Sequence, residues 1–174
     1  YSIQGASNSK LISVYGRNED KTKTFAKKFE IAAHHDLKEF ITDTKIDAVY
    51  IATPHSEHFT FTLEAITNGK HVLCEKPFTM NAFESMTLLN LACSSNIFLM
   101  EAYMYRTHPQ TKNILSNLNF IQDENKKILI EASFGFEADV PIDHRLRDPQ
   151  LGGGAILDIG CYPLTMCKLI AGHL

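Results

Sequence analysis

Short apolar runs alternate with longer amphipathic segments through the first hundred residues of the chain. The runs are rich in β-branched and aliphatic residues and predict strands, in chain order, at 11–15, 47–52, 71–74 and 97–101. The segments between them have apolar positions three and four apart and predict helices at 20–29, 36–41, 57–68 and 81–94. Such alternation is expected for βαβ units, so the fold class is predicted to be α/β, with a Rossmann-like doubly wound parallel sheet.

The pattern changes after residue 102. Arg106 to Gln110 breaks the alternation and starts another helix, and 127–136 alternates weakly, which predicts an antiparallel strand. A polar loop is predicted at 141–149 and a helix at 155–171. These elements indicate the start of a second, α+β domain with an antiparallel sheet.

No Gly-x-Gly-x-x-Gly follows any predicted strand, although that motif normally cradles the phosphates in such a sheet. We therefore expect a fragment: residues 1–102 form a dinucleotide-binding domain without its N-terminal strand and phosphate loop. Residues 103–174 form the incomplete beginning of a substrate and oligomerisation domain. In the common strand order the first strand is central, so the two halves of the sheet are expected to share no ladder.

Charge and composition limit the kinds of partner that the chain is expected to bind. The net charge of −3 gives no reason to expect nucleic acid or an anionic membrane surface, and the longest apolar run, 46–52, is too short to span a bilayer. The four cysteines have no Cys-x-x-Cys spacing, which predicts free thiols and a cytoplasmic location. No metal site is expected among the histidines, and His34-His35 is interpreted as the solvated start of a helix.

The most informative segment is Glu75-Lys76-Pro77, which directly follows the apolar strand at 71–74. Ligands of open α/β sheets lie at the carboxyl ends of strands, so this position sets the Lys76 amine beside a bound cofactor, which makes Lys76 a predicted cofactor-binding residue as well. Such an amine can stabilise the alkoxide that forms when a carbinol carbon loses hydride, or it can carry the proton. The alternative is an ordinary surface lysine in a turn.

A second motif supports the catalytic interpretation. Asp158 and Tyr162 lie four residues apart on a predicted helix behind the glycine run 152–154, so they face the same side. A tyrosine beside a lysine can exchange a proton with substrate, and the ammonium is expected to lower the pKa of Tyr162. Asp158 would hold the lysine or a substrate hydroxyl. The alternative is a helix with an N-terminal acid that the dipole favours.

Two further positions follow strands and predict cofactor contacts. Arg17 and Asn18 come after the first strand, where an arginine accommodates the 2′-phosphate of NADP and an acidic residue would select NAD. Thr53-Pro54-His55 closes the strand at 47–52 and is expected to line the groove that the cofactor crosses. His58 either contacts the cofactor or caps its helix. Arg17 in turn has the alternative of a solvated loop residue.

These motifs, in this order and spacing, resemble the glucose–fructose oxidoreductase/inositol dehydrogenase/MocA family over essentially the whole chain. The resemblance is carried by Ala52-Thr53-Pro54-His55 with His58, Gly69 to Pro77, Glu101 to Arg106 with His108-Pro109-Gln110, and Leu151-Gly152-Gly153-Gly154 with Asp158 to Pro163. Many members have histidine where this chain has Tyr162. The tyrosine resembles the branch of dimeric dihydrodiol dehydrogenase, NADP-dependent D-xylose dehydrogenase and glucose–fructose oxidoreductase.

The resemblance implies an NADP-dependent dehydrogenase, with NAD the less favoured cofactor, acting on a sugar or a cyclic trans-diol. It implies Lys76 and Tyr162 as the catalytic pair, Asp158 as their support, and a cis Lys76–Pro77 bond. Glu75, Pro77 and Arg106 would border the cofactor, and the second domain would form a homodimer or higher homo-oligomer. Thr107 departs from the family, which usually has a bulky aromatic there. The alternatives are a non-catalytic nucleotide-binding regulator and an inactive truncated product.

Overall fold

A computed structural model of the chain describes residues 2–118, 129–142 and 144–172. The strands are β1 (Ser13–Tyr15), β2 (Ala32–His34), β3 (Ala48–Ile51), β4 (His71–Cys74) and β5 (Leu99–Glu101). The helices are α1 (Ser2–Gly5), α2 (Glu19–Phe29), α3 (Leu37–Thr42), α4 (His58–Thr67), α5 (Ala82–Ser94), α6 (Pro109–Ser116) and α7 (Cys161–Ala171). Short 3-10 turns cover His55–Glu57, Met104–Thr107 and Pro149–Leu151, and a π-helical turn covers Ile156–Gly160.

The five strands of the described residues all pair in parallel, as the alternating pattern predicts. They form two separate sheets, one of order β1-β2 and one of order β3-β4-β5. The expectation that the two halves share no ladder is therefore confirmed for the described residues. Aromatic contacts link the halves instead: the Tyr15 ring lies 5.9 Å from that of Phe40 and 6.3 Å from that of Phe61.

Strand β2 was not predicted. His34 lies in this strand, paired with Tyr15, so its interpretation as the start of a helix is wrong. Three residues, two of them alanine, have little strand propensity of their own, and the pairing with β1 imposes the conformation. Helix α3 begins later, where the Asp36 side chain accepts a hydrogen bond from the Glu39 amide at 2.8 Å.

Helix starts elsewhere follow the sequence closely. The side chains of Asn18 and Asn81 accept hydrogen bonds from the backbone amides of Lys21 and Glu84, at 2.9 and 3.0 Å. Such N-caps each stabilise a helix by about 1 kcal/mol because they satisfy a backbone donor that has no partner within the helix. At the end of α4, Gly69 has a φ of 73°, a conformation that suits glycine, which has no Cβ.

The core lies between one face of the β3-β4-β5 sheet and helices α4 and α5. Alternate strand residues point into it, and each large apolar side chain there contributes roughly 1.5–3 kcal/mol by burial. Its buried members are Ile41, Ile51, Ala65, Ile66, Val72, Cys74, Phe78, Leu88 and Ala92. The opposite face of the sheet is open, with Tyr50 and Leu73 exposed.

The predicted antiparallel strand at 127–136 is wrong over residues 129–136, which have no regular secondary structure. A strand needs a partner for its backbone hydrogen bonds, and none of the described strands lies beside this segment. Residues 127 and 128 lie outside the described part of the chain. The predicted helix at 155–171 is present, although its first turn is π-helical.

The segment Pro149–Ala171 is long and apolar enough, by length and composition alone, to cross a membrane, with a mean hydropathy of 1.3. This differs from the expectation drawn from uninterrupted apolar runs, because polar residues such as Asp158 lie within the segment. A single such helix is weak evidence, and Asp158 within it forms an ion pair with Lys76.

Candidate active site

The three predicted catalytic residues meet at the carboxyl end of β4. The Lys76–Pro77 peptide bond is cis, as the resemblance implies. The Lys76 ammonium lies 3.1 Å from Oδ1 of Asp158 and also donates to the Asp158 backbone carbonyl. It lies 5.1 Å from the centre of the Tyr162 ring, within the range of a cation–π contact. Both side chains of the ion pair are only 15% exposed, so solvent screens the pair weakly.

The path of the backbone explains why Asp158 and Tyr162 arrive together. Asp158 lies in the π-helical turn and Tyr162 in the first turn of α7, so the two residues share one side of a continuous helical segment. Their common contact with Lys76 agrees with the side predicted from their spacing. π-helical turns inserted in α-helices are frequent at functional sites.

Aromatic rings surround Tyr162. The ring of Tyr103 meets it edge-on at 5.5 Å, that of Phe134 at 5.3 Å, and that of Tyr105 lies 5.9 Å away. The Tyr105 hydroxyl also donates to the Tyr162 backbone carbonyl at 3.3 Å. These contacts restrain the ring of Tyr162, which is half-buried.

The expected lowering of the pKa of Tyr162 is wrong. Burial raises this pKa, and the Cys161 thiol and the carboxylates of Glu75 and Asp158 raise it further. The Lys76 ammonium lies over the ring face, and no hydrogen bond joins it to the Tyr162 hydroxyl within the described residues. Tyr162 is therefore a protonated phenol at neutral pH, in position to give up a proton.

The end of β3 lies beside the Glu75-Lys76-Pro77 turn. His58 is fully buried, with Nδ1 2.8 Å from the Pro77 carbonyl oxygen and Nε2 3.0 Å from the Thr53 carbonyl oxygen. Because both ring nitrogens face backbone within the described chain, a contact between His58 and a cofactor stays a prediction without direct support. His55 lies with Nδ1 3.1 Å from the Gly152 carbonyl oxygen, and burial lowers its pKa.

The other predicted cofactor residues lie along the carboxyl ends of the strands. Arg17 follows β1 and forms an ion pair of 2.5 Å with Glu57, while Asn18 serves as the N-cap of α2. Glu75 accepts a hydrogen bond from the Tyr50 hydroxyl. Arg106 lines a cleft of about 220 Å³ together with residues of α7.

Glu101 is a site residue for which no role is predicted from the sequence. It ends β5, and its Oε1 accepts a hydrogen bond of 2.8 Å from the Phe78 amide, directly after the cis peptide bond. Burial raises the pKa of Glu101, and hydrogen bonds from Phe78 and Tyr103 oppose that rise. Its place at the carboxyl end of a strand was the available signal. No group of three metal-ligating side chains occurs in the described residues.

The chain is similar in sequence to known dehydrogenases. The chain is 37% identical over 167 residues to trans-1,2-dihydrobenzene-1,2-diol dehydrogenase of Xenopus tropicalis, covering 95% of this chain and 49% of the relative. It is 31% identical to an NADP-dependent D-xylose 1-dehydrogenase of Haloferax volcanii, covering 96% and 51%. The chain thus spans about half the length of the relatives it matches.

Solved structures agree in fold. A 3-ketoreductase from Actinomadura kijaniata, crystallised with NADP and TDP-benzene, superposes with a TM-score of 0.84 at 27% identity. That match covers 98% of this chain and 52% of the ketoreductase. The family model described as an oxidoreductase family with an NAD-binding Rossmann fold matches residues 2–103. The chain therefore belongs to the Gfo/Idh/MocA oxidoreductase family.

Proposed function

We propose that the protein containing this chain is an NADP-dependent oxidoreductase that transfers a hydride between a carbinol carbon and the cofactor. The observation that carries the proposal is the convergence of Lys76, Asp158 and Tyr162 at the carboxyl end of β4. An amine, a phenol and a carboxylate in contact provide a charge stabiliser, a proton donor and a group that orients the amine. The residues come from two segments that are 82 positions apart.

The strand ends fit a dinucleotide. The buried Thr53 hydroxyl oxygen has no hydrogen-bond partner in the described chain, and it lies at the carboxyl end of β3, where such a ligand crosses the sheet. The Arg17 side chain is 65% exposed and can offer its guanidinium to a 2′-phosphate, next to Glu57. NADP appears in the names of the Haloferax xylose dehydrogenase and of the ketoreductase complex. We propose NADP as the cofactor on these grounds, with Asn18, Pro54 and Glu75 lining the same path.

The chain's own residues handle the proton. When bound, the nicotinamide takes or returns a hydrogen with its two electrons at the carbinol carbon. In the reducing direction Tyr162, which its raised pKa keeps protonated at neutral pH, gives its proton to the carbonyl oxygen. In the oxidising direction Tyr162 first releases its proton to solvent, and the resulting phenolate then takes the hydroxyl proton of the substrate. Lys76, held by Asp158, stabilises negative charge on that oxygen in both directions.

We propose a sugar or a cyclic trans-diol as substrate. The support is that relatives are named for a dihydrobenzenediol and for D-xylose. A second domain in residues 103–174, acting in substrate binding and in a homodimer or higher homo-oligomer, belongs to the same proposal. The four free thiols suit a reducing compartment, and we propose the cytoplasm.

Lys76→Met in the protein at its natural length tests the reaction. We expect kcat with NADP and a panel of sugars and diols to fall by roughly 100- to 10,000-fold, since charge stabilisation and proton transfer are lost. The dissociation constant for NADP, measured by calorimetric titration, should change little. Lys38→Met, an exposed lysine on α3, is the matched control and should leave both values unchanged. Undiminished turnover by Lys76→Met would refute the assignment, while NADP binding by a wild type inactive on every substrate would favour a regulatory protein.

A further inference from the structure

The His58 ring joins two separate backbone segments that border the candidate active site. Its Nδ1 faces the Pro77 carbonyl of the Glu75-Lys76-Pro77 turn. Its Nε2 faces the Thr53 carbonyl at the end of β3. The ring is fully buried, at 0% exposure. A carbonyl oxygen only accepts hydrogen bonds, so a ring nitrogen that bonds to its carbonyl does so as an N–H donor.

The position of His58 in α4 favours a specific role over simple core filling. It is the first residue of α4, where the positive end of the helix dipole gives a histidine no advantage. An apolar residue would fill the same space without placing two ring nitrogens in the interior, which is costly unless both are paired. The ring is also rigid, so its two nitrogens hold the two carbonyls at a fixed separation.

We propose that His58 is a positioning residue that couples the cofactor side of the site, through Thr53, to the lysine side, through Pro77. Through the Nδ1 contact it holds the Glu75-Lys76-Pro77 turn, from which the Lys76 side chain reaches Asp158. Through the Nε2 contact it holds the end of β3, where the Thr53 hydroxyl has no partner in the described chain. This inference rests on the proposed function.

The two contacts can be separated by substitution, because an asparagine amide nitrogen replaces Nδ1 and a glutamine amide nitrogen replaces Nε2. We expect His58→Asn to keep the Pro77 contact and His58→Gln to keep the Thr53 contact. In the protein at its natural length, His58→Gln should lower kcat about 10-fold with an unchanged NADP dissociation constant, because the Lys76 amine loses its alignment. His58→Asn should instead raise that dissociation constant roughly 3- to 10-fold and largely keep kcat, the size expected for one lost hydrogen bond.

Thr62→Val is the matched control, since Thr62 is also fully buried in α4 and valine keeps its shape. It should change neither kcat nor the NADP dissociation constant. Backbone amide exchange of residues 75–79 gives a second reading that needs no turnover: faster exchange is expected in His58→Gln and not in His58→Asn. Thermal unfolding establishes that each variant is folded.

Identical effects of His58→Asn and His58→Gln on both values, or effects matched by Thr62→Val, would overturn the coupling. If the wild type turned over none of the substrates, the proposed function would fail on its own. NADP binding and amide exchange would then still decide on the coupling. The coupling would be upheld if the two variants differed in NADP binding and amide exchange as expected, and rejected if they did not differ.

Discussion

The two parts of the molecule that supply the candidate catalytic residues are packed very differently. Lys76 follows a central strand of the β3-β4-β5 sheet, beside a core in which Leu88 and Val72 are almost completely buried. Asp158 and Tyr162 belong to the segment 144–172, in which α7 has no buried residue. The lysine therefore rests on a rigid base, whereas its partners rest on a helix with little packing of its own.

The segment 144–172 is joined to the part that contains the β3-β4-β5 sheet largely through the candidate active site. The Lys76–Asp158 ion pair, the His55 contact with the Gly152 carbonyl and the Tyr105 contact with the Tyr162 carbonyl all cross between them. Within the described residues, interactions that would serve chemistry thus also hold the helix in place. The difference teaches that the geometry of this site and the attachment of α7 depend on the same few contacts.

Leucine truncation on the two sides gives the largest expected contrast. Leu88→Ala should lower the free energy of unfolding by about 2–5 kcal/mol, because it leaves a cavity in the core. Leu164→Ala on α7 removes a side chain that is 70% exposed and should cost less than about 0.5 kcal/mol. Urea unfolding measures both, and equal costs would contradict the contrast in packing.

Gly152→Ala tests the contact between the segment 144–172 and the rest of the chain at His55 and Met80. Gly152 has a φ of 78°, and a Cβ there would lie 2.7 Å from the Met80 sulfur and 2.8 Å from the Cβ of His55. Backbone strain costs roughly 1–2 kcal/mol, and the clash adds to it. Gly154→Ala is the control, since its φ of 105° gives strain but its Cβ would meet nothing within 4 Å.

Limited proteolysis of the segment 144–172 and urea unfolding should both show Gly152→Ala as the more affected of these two variants. Equal behaviour would mean that the close approach to His55 contributes nothing to holding the segment.

The smallest expected effect is a pH dependence confined to the packed part. Burial raises the pKa of the Cys74 thiol from 9.0 to about 12. Between these values the folded chain keeps a proton that the unfolded chain releases, so the stability that this group contributes below pH 9 is lost as the pH rises. The slope is up to about 1.4 kcal/mol per pH unit. Urea unfolding from pH 8 to 10 should show a flatter profile for Cys74→Ala, while Cys93→Ala, at an exposed thiol, should match the wild type.

The sequence was sufficient to predict much of the packed part and the meeting of its lysine with the second part. The strand before Glu75, the Asn81 cap and the shared side of Asp158 and Tyr162 each follow from local patterns that the tertiary structure reinforces. The match to family motifs added the cis bond.

Features set by distant neighbours were not predictable in this way. Strand β2 exists because β1 pairs with it. The pKa of Tyr162 is raised first by burial and in part by Glu75, which only folding brings near the ring. The two contacts of His58 join backbone positions 24 residues apart, which no spacing rule indicates. The predicted strand at 127–136 was wrong over 129–136 because weak alternation supplies no partner strand.

The division of the strands into two sheets has a consequence for self-association. Strand β3 pairs only with β4 in the described chain, so one side of Ala48–Ile51 presents unpaired backbone donors and acceptors, flanked by the exposed Tyr50 side chain. An uncovered edge of this kind is a template for another strand. Produced as these 174 residues alone, the chain would expose an aggregation-prone edge along β3.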